Sequence, residues 1–277
     1  ISSWFALEAT NCIIDKFGRI GSRKGWVEHS NTSASVTGAV RAIVEYTKPD
    51  GSLEILFAAN NKLWKLDSNS DPVELTADDA SAISISDDDW QIATFNNHAV
   101  FVQEDHFPVY YDSSADTYKE YTSNPGWTTP QCVASCFNRM WIGDDYTVYW
   151  SRILEPQSFT GTGSGQINIR EIFGEDDTVT AVTSYNNRLV IFGRRNIAFF
   201  AGAEDPTGTS FQMIDHIKGI GCIARDSVQN VGTDVVFLSA EGVRTIGRVI
   251  QEQSSPIGDV SKNVRDEIVQ YTAGESQ

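Results

Sequence analysis

The sequence has little of what marks a metal site or a nucleic-acid-binding groove. Of its 277 residues only two are Met, four are Cys and four are His. It carries 21 Lys and Arg against 37 Asp and Glu, a formal net charge of −16. This shortage of cations disfavours a groove that grips nucleic acid, because neutralising phosphates requires clustered Lys and Arg.

The cysteines and histidines are not spaced as metal ligands. Cys132 and Cys136 form a C-x3-C pair inside an apolar, strand-like run, whereas zinc knuckles use C-x2-C or a similar spacing. The histidines at 29, 98, 106 and 216 have no second His or carboxylate at the spacing of a helical zinc site. We therefore predict no metal and no cofactor, and buried free thiols suited to a reducing cytoplasm.

Long apolar segments are missing as well. No run approaches the 18 residues of a membrane-spanning helix, so we predict no membrane anchor. The first residues, "ISSWFALEAT", lack the charged and apolar regions of a signal peptide.

A repeated pattern is present instead: an apolar run, a polar pair that usually reads Asn-Asn, and a second apolar run. It occurs in "LFAANNKLWKL" (56–66), "ATFNNHAVFVQ" (93–103), "ASCFNRMWI" (134–142) and "TSYNNRLVIFG" (183–193). The second residues of the pairs are Asn61, Asn97, Asn138 and Asn187. Their intervals are 36, 41 and 49 residues (97−61, 138−97, 187−138), and a weaker match puts Thr233 another 46 on (233−187). Roughly 40–50 residues is the length of a four-stranded propeller blade.

The runs beside these pairs are rich in Val, Ile, Tyr, Phe and Trp, as strands are. Asn tolerates the left-handed conformation of tight hairpin turns, which explains its recurrence. The predicted strands are 53–60, 62–67, 98–104, 108–114, 139–144, 147–152, 188–194, 196–202, 234–240 and 242–249.

Helical periodicity is limited to the end of the chain, at 261–274. There Val264, Ile268 and Tyr271 share a face, and Ser261 could cap the helix. The sequence thus predicts an all-β propeller of about five or six blades of antiparallel strands, with a short C-terminal helix. We expect a single domain over 1–277, in which the first fifty residues supply strands that close the ring.

Two short motifs resemble ligand loops but lack essential residues. "DSNSDP" (67–72) has the spacing of a calcium loop without its central Gly and distal Glu, so we predict a hairpin loop. "GTGSG" (161–165) carries no Lys and follows no strand-to-helix pattern, which argues against a phosphate cradle.

The sequence marks out no catalytic residues. A glycosidase needs two carboxylates at a set separation, and no such pair stands out among the many acids. The string "SSADTYKEY" (113–121) lacks the Gly and Trp of a sialidase repeat, and no nucleophile elbow is present. We therefore predict that the chain is not an enzyme, with a propeller glycosidase as the weakest alternative.

Four segments resemble a known family. They are "CIIDKFGRIGSRKGW" (12–26), "FNRMWIGDDYTVYWSRILEPQSFTGTGSGQINI" (137–169), "YNNRLVIFGRRNIAFFAG" (185–202) and "IKGIGCIARDSVQNVGTDVVFLSAEGVRTIG" (217–247). Their order resembles that of the tail nozzle proteins of short-tailed bacteriophages, also called tail tubular protein B or the phage stabilisation and tail accessory protein. Members of that family are usually longer, with inserted domains that reach the tail tip.

The resemblance implies a structural virion protein. It would be a propeller subunit of a homo-oligomeric ring, commonly a hexamer, below the head-to-tail adaptor, which is the ring next to the portal. Tail fibre or tip proteins would be further partners. Duplex DNA would pass through the lumen without specific binding, which suits an acidic chain. The protein would be assembled in the host cytoplasm and would reside in the phage tail, where it helps to retain and eject the genome.

A ring subunit needs interfaces that are not self-complementary. The aromatic residues Trp90, Phe107 and Trp127 fall in predicted loops and are candidate interface anchors, with core packing between blades as the competing explanation for each. The alternative function is a propeller binding module of a phage tail that recognises a host glycan or a partner protein.

Overall fold

The computed structural model describes residues 12–14, 20–23, 36–78, 85, 89–104, 106–121, 124–128, 130–252, 266 and 268–270. The strands in these ranges are β1 Cys12–Ile14, β2 Ile20–Ser22, β3 Val40–Thr47, β4 Leu53–Ala59, β5 Lys62–Leu66, β6 Pro72–Glu74, β7 Thr76–Ala77, β8 Gln91–Phe95, β9 His98–Gln103, β10 His106–Asp112, β11 Thr117–Glu120, β12 Pro130–Cys136, β13 Arg139–Asp144, β14 Thr147–Trp150, β15 Gly165–Asn168, β16 Ala181–Tyr185, β17 Arg188–Phe192, β18 Asn196–Ala201, β19 Gln212–Lys218, β20 Gln229–Asn230, β21 Val235–Ser239 and β22 Gly242–Thr245. The helices are α1 Arg170–Phe173 and α2 Ile246–Glu252, with a 3-10 turn at Arg225–Ser227.

Five antiparallel sheets form the blades of a propeller. Blade 1 is β3–β6, blade 2 is β8–β11, blade 3 is β12–β15, blade 4 is β16–β19 and blade 5 is β20–β22. The first strands of successive blades contact one another, β3 with β8, β8 with β12 and β12 with β16, so they are the inner strands. Strand β7 pairs in parallel with β11 and thereby ties the end of blade 1 to the outer edge of blade 2. The predicted all-β propeller is confirmed, with five blades.

The core lies in the seams between blades. Along β9, Ala99 and Phe101 face the core between blades 1 and 2, while Val100 and Val102 face the core between blades 2 and 3. This alternation follows from the two-residue period of a strand, and it makes both faces of a blade apolar. Blades 3 and 4, and blades 4 and 5, enclose two further cores in the same way.

The Asn pairs form tight hairpin turns, as predicted. Both central residues of the turn between β8 and β9 have positive φ, 44° at Asn96 and 60° at Asn97. The turn between β16 and β17 is alike, with 46° and 60° at its two Asn residues. Positive φ at both positions gives the twist that joins right-handed strands, and Asn adopts it at low cost.

The first Asn pair is out of phase with the others. Asn60 and Asn61 join the second and third strands of blade 1, whereas the later pairs join first and second strands. The equivalent turn of blade 1 is "KPDGS" (48–52), between β3 and β4. This explains why the first interval, 36 residues (97−61), was the shortest.

The structure departs from the prediction at 242–249 and agrees with it in the described part of the C-terminal helix. The strand predicted at 242–249 ends at Thr245, and α2 follows it, with Ile246 and Val249 buried in the core between blades 4 and 5. Of the C-terminal helix predicted at 261–274, residues 266 and 268–270 are helical. Its remaining residues, including the proposed cap, lie outside the described ranges.

Most of the first fifty residues also lie outside the described ranges. Within the ranges that are described, β1 and β2 pair with each other as a separate antiparallel ribbon. The expectation that this region closes the ring, and the assignment of 1–277 to a single domain, stay predictions.

Candidate functional site

The inner strands begin at one end of the propeller, which we call the upper end. There a cavity of about 460 Å³ lies at the axis. Blades 2 to 5 all contribute to it, through connections that precede inner strands, through second–third turns and, in blade 3, through the start of β12. Its polar lining consists of Asp89, Glu104, Gln131, Thr178, Thr180, Arg194, Arg225 and Asp226.

Arg225 of blade 5 lines this cavity and bonds to residues of blades 2 and 3. Its guanidinium donates to the backbone oxygen of Gln131 at 3.1 Å and to that of Asp89. It also pairs with the carboxylates of Asp89, at 3.1 Å, and of Asp226, at 3.2 Å. Since only 15% of the Arg225 side chain is exposed, these charge-assisted bonds are partly shielded from water and define the cavity wall.

Two glutamines help to build this wall: Gln131 lines the cavity, and Gln91 supports the residues around it. The side chain of Gln91 in β8 accepts from the backbone N–H of Val133 at 2.7 Å and donates to Asp226 at 3.2 Å. The register of β12 on β13 shifts between Pro130 and Cys132, which leaves Gln131 as the bulged residue. A bulge leaves its residue outside the regular ladder, and here that residue lines the cavity.

Several other lining groups have no partner in the described part of the chain. They are the Glu104 carboxylate, the Arg194 guanidinium and the hydroxyl groups of Thr178 and Thr180. Both charged side chains are exposed. The cavity therefore presents one free acid, one free cation and two hydroxyl groups, each able to bond a ligand.

The turn that carries Arg194 is held from below by a buried carboxylate. Asp177, which is 4% exposed, accepts from the backbone N–H of Arg194 at 2.6 Å and of Arg195 at 2.9 Å. It also accepts from the side-chain amide of Asn196 at 2.7 Å. Only glycine fits at position 193, because a Cβ there would lie 2.6 Å from the Asp177 carboxylate.

The Asn196 amide extends this network to His216 in β19. A ring nitrogen of His216 lies 2.9 Å from the Asn196 side-chain oxygen, and the imidazole stacks on Phe173. Burial, and then the charge of Lys218, lower the pKa of His216 below its ordinary value. The imidazole is thus kept neutral near pH 7, and the network supports the turn rather than contributing charge.

A second cavity, of about 510 Å³, lies at the opposite, lower end, and blades 1, 2 and 3 contribute to its lining. Several of its polar groups are used within the protein, whereas the buried side-chain oxygen of Gln157 accepts no hydrogen bond from the described residues. The Tyr111 hydroxyl bonds to Glu54 at 2.8 Å, Asp112 pairs with Lys119 at 2.7 Å, and the Asn96 amide donates to a backbone oxygen at 2.6 Å. We choose the upper cavity as the candidate ligand site because an acid, a cation and two hydroxyl groups without partners in the described ranges converge there.

The three predicted interface residues are not brought together. Trp90 and Trp127 are each 2% exposed and pack in the cores of blades 1–2 and 2–3, so their interpretation as exposed anchors is corrected in favour of core packing. Phe107 is 44% exposed, at the point where the register of β10 on β9 shifts. Its contact with a partner stays a prediction.

The loop predicted from "DSNSDP" is a hairpin turn. The Asp67 carboxylate accepts from the backbone N–H groups of Asn69, at 2.8 Å, and Asp71, at 2.9 Å. Among the described residues no group of three or more His, Cys, Asp or Glu could hold a metal ion. No helix in those ranges is long and apolar enough to cross a membrane.

The cysteines in the blades are free thiols in apolar surroundings. Cys132 and Cys222 are buried and Cys136 is partly buried. Burial raises the pKa of Cys132 to about 12 and also raises the pKa values of Cys136 and Cys222. Because the thiolate is the reactive form, these thiols are poor nucleophiles at neutral pH.

Solved structures resemble this chain in fold. Virginiamycin B lyase from Staphylococcus aureus matches with a TM-score of 0.50 and 14% identity, over 85% of this chain and 74% of the lyase. A catalytically inactive variant of that lyase with quinupristin matches with a TM-score of 0.51 and 16% identity, over 85% and 73%. A streptogramin B lyase matches with a TM-score of 0.50 and 15% identity, over 85% and 72%. No protein-family model and no curated protein matches the sequence.

These structures correct the prediction that the chain is not an enzyme. The prediction rested on the lack of a catalytic motif in a propeller-like sequence, yet propellers that superpose on this chain are lyases. At 14% to 16% identity the likeness extends to the fold, so it transfers no substrate and no catalytic residue to this chain.

Sequence reasoning missed the residues that build the upper cavity. Arg225 lies 94 residues from Gln131 and 136 residues from Asp89, so nothing local marks their contact. The one local signal is "GRRN" (193–196), where two arginines stand at a turn in an acidic chain.

Proposed function

We propose that this chain is a propeller binding module that takes a polar, hydroxyl-rich ligand, of the glycan class, in the cavity at its upper end. One observation carries the proposal: unpartnered polar side chains from blades 2 and 4 converge on a cavity that four blades build. Buried polar groups are normally satisfied by hydrogen bonds, and groups left available at the mouth of a cavity can bond a ligand instead.

The chemistry of the lining favours a glycan over an apolar ligand. Arg225 is neutralised by Asp89 and Asp226, which leaves Glu104 as an acceptor and Arg194 as a donor. The hydroxyl groups of Thr178 and Thr180 can donate and accept. Sugar hydroxyls can also donate and accept. An apolar ligand would displace water from these groups without replacing the hydrogen bonds that the water made.

The test is a glycan array probed with the labelled protein, followed by calorimetric titration of the best ligand. We expect the double variant Glu104→Ala, Thr180→Ala to lose affinity about tenfold, since each lost hydrogen bond is worth roughly 1 kcal/mol. Glu204→Ala is the matched control, because Glu204 is an exposed acid in the turn between β18 and β19, at the lower end.

No binding across the array would reject the proposal, as would a double variant that binds like the control. Recovery of the bound ligand and its analysis by mass spectrometry would also show whether it is returned intact or altered. That readout separates binding from turnover for the same site.

A second candidate is the ring subunit of a phage tail nozzle. It is favoured by exposed apolar residues on two separate blades. Ile43 and Leu53 lie on one face of blade 1 and are 68% and 64% exposed. Met213 and Ile214 are 44% and 40% exposed on β19, the edge strand of blade 4. A head-to-tail interface needs two distinct surfaces on each subunit, and such interfaces close into rings.

The ring candidate is tested by light scattering and electron microscopy of the wild-type chain, alone and with a phage adaptor ring. A closed ring that Met213→Lys disperses into monomers would support it. Ser210→Lys is the control, since that residue is exposed in the turn before β19. A wild-type monomer that does not bind the adaptor would reject it.

A further inference from the structure

A third and smaller cavity, of about 150 Å³, lies at the upper end between blades 4 and 5. We call it the basic crevice. Its walls are the turn Arg194–Arg195 of blade 4, the turn Ala240–Glu241 of blade 5 and the connection Gly219–Gly221 between these blades. Backbone bonds close it: Gly219 N–H donates to the Arg195 oxygen at 2.7 Å.

The charge of the crevice is opposite to that of the whole chain. Arg194, Arg195 and Arg244 line it together with a single acid, Glu241, although the chain has a net charge of −16. The Glu241 carboxylate pairs with Arg244 at 2.6 Å. Arg194 and Arg195 are both exposed, and within the described ranges no side chain neutralises their guanidinium groups.

The two arginines project from a backbone that has little freedom. Asp177 accepts both of their N–H groups, and its charge is used there, beneath the turn. On the other side, a Cβ at Gly221 would lie 2.2 Å from the Gly193 oxygen, so the connection packs directly on the turn. A rigid backbone lowers the ordering cost of binding.

Arg194 lines the basic crevice and the axial cavity alike. A ligand in the axial cavity that contacts Arg194 is therefore next to the crevice. Guanidinium groups bind planar or tetrahedral oxyanions through two parallel hydrogen bonds, which suits a carboxylate or a sulfate.

From this geometry we infer that the basic crevice is an anion subsite, and that the ligand is an acidic glycan whose carboxylate or sulfate group contacts Arg194 and Arg195. The inference rests on the proposed function, because it assigns a charged substituent to the same ligand. It also predicts that affinity for the charged ligand falls with added salt more steeply than affinity for its neutral counterpart.

The test compares three matched oligosaccharides by calorimetry: a neutral one, the same one with a carboxylated sugar, and the same one with a sulfate. We expect the charged forms to bind the wild-type protein about tenfold more tightly than the neutral form. Arg195→Gln should abolish that preference and leave neutral binding unchanged, since Arg195 lines the crevice and does not line the axial cavity. Arg188→Gln removes the same charge at the lower end and is the control.

The outcomes separate this inference from the function beneath it. Neutral and charged forms that bind equally well would overturn the anion subsite and leave the glycan site standing. A preference that survives Arg195→Gln would overturn it as well. If none of the three binds, both ideas fall. A preference for sulfate alone, or for carboxylate alone, identifies the acidic group.

Discussion

Two seams of the propeller are held together by different chemistry. Between blades 3 and 4 the contacts are aromatic: Trp141 and Trp150 lie 5.6 Å apart, Trp150 and Phe211 5.6 Å, and Phe211 and Phe200 5.3 Å, measured between ring centroids. Between blades 1 and 2 an apolar core is joined at the lower end by a polar network.

Glu54 is the centre of that network, with 6% of its side chain exposed. It accepts from the Tyr111 hydroxyl of blade 2 at 2.8 Å and pairs with Lys48 at 3.1 Å and Lys65 at 3.8 Å. Lys65 in turn pairs across the seam with Asp116 at 2.5 Å. Equivalent seams of one fold are thus stabilised either by apolar packing or by paired charges. Only the stability that comes from paired charges depends on pH.

The largest effect should come from removing an aromatic ring from the seam of blades 3 and 4. Trp141→Ala should lower the free energy of unfolding by about 3–5 kcal/mol, because it leaves a large cavity in a packed core. Urea unfolding of this variant and of Trp141→Phe measures the loss, which should be smaller for Phe. A loss of less than about 1 kcal/mol for Ala would mean that the seam collapses around the cavity.

The polar seam should be damaged next most severely by removing its central acid. Glu54→Ala should cost about 2–3 kcal/mol, because it leaves Lys48, Lys65 and the Tyr111 hydroxyl short of a partner. The same urea titrations measure this, with Glu120→Ala, an exposed acid on the edge of blade 2, as control. In a double-mutant cycle with Tyr111→Phe the losses should be less than additive, and strict additivity would contradict the contact.

Substitutions in the hairpin turns should lower the free energy of unfolding equally in blade 2 and in blade 4. Equal losses would show that these two regions differ in their seams and not in their hairpins. Asn97→Ala in blade 2 and Asn187→Ala in blade 4 should each cost about 1 kcal/mol, since both positions have φ of 60°. Asn→Gly at the same positions is the control and should be nearly neutral. Unequal losses would assign part of the difference to the turns.

Acid should weaken blade 2, through Asp112, and the polar seam between blades 1 and 2, through Asp116. Hydrogen bonds from Lys119 and then Ser114 lower the pKa of Asp112 to about 2. Partial burial raises the pKa of Asp116, but hydrogen bonds from Lys65 and Tyr111 outweigh it, so that this pKa is lowered. Carboxylates with lowered pKa values stabilise the fold above the unfolded value near 4 and lose that contribution as the pH falls toward about 2.

After allowance for solvent screening the acid effect amounts to about 1 kcal/mol or less. Hydrogen exchange between pH 5 and pH 2.5, corrected for intrinsic rates, should show peptides of blades 1 and 2 losing protection before those of blades 3 and 4. Simultaneous loss in all blades would indicate that the seams do not open separately.

The sequence predicts the hairpins well, because their chemistry repeats. Asn97, Asn138 and Asn187 occupy equivalent turns, and the strands that follow them, β9, β13 and β17, begin and end within about two residues of the predicted bounds. No bounds were predicted for the strands that precede these turns. The phase of blade 1 was missed because its Asn pair serves a different turn. Helix α2 was missed because "IGRVIQE" carries too few turns for a helical period to stand out from a strand.

The site was beyond sequence reasoning for a different reason. The second–third turns present an acid in three blades, Glu104, Asp145 and Glu241, and Arg194 in blade 4. In a chain with 37 Asp and Glu, a recurring acid does not mark a site. The bonds that bring the connections together, such as those of Arg225, span 94 and 136 residues. Only closure of the propeller creates them.

In blades 2, 3 and 4 the Asn turns lie at the lower end and the second–third turns at the upper end. The Asn residues of the lower turns fix the strand register through their backbone conformation. The residues of the upper turns are not constrained by that register. New specificities could therefore be grafted onto the upper turns of these blades one at a time, as loops are exchanged on an antibody framework. Such a scaffold would keep its fold while its target changed.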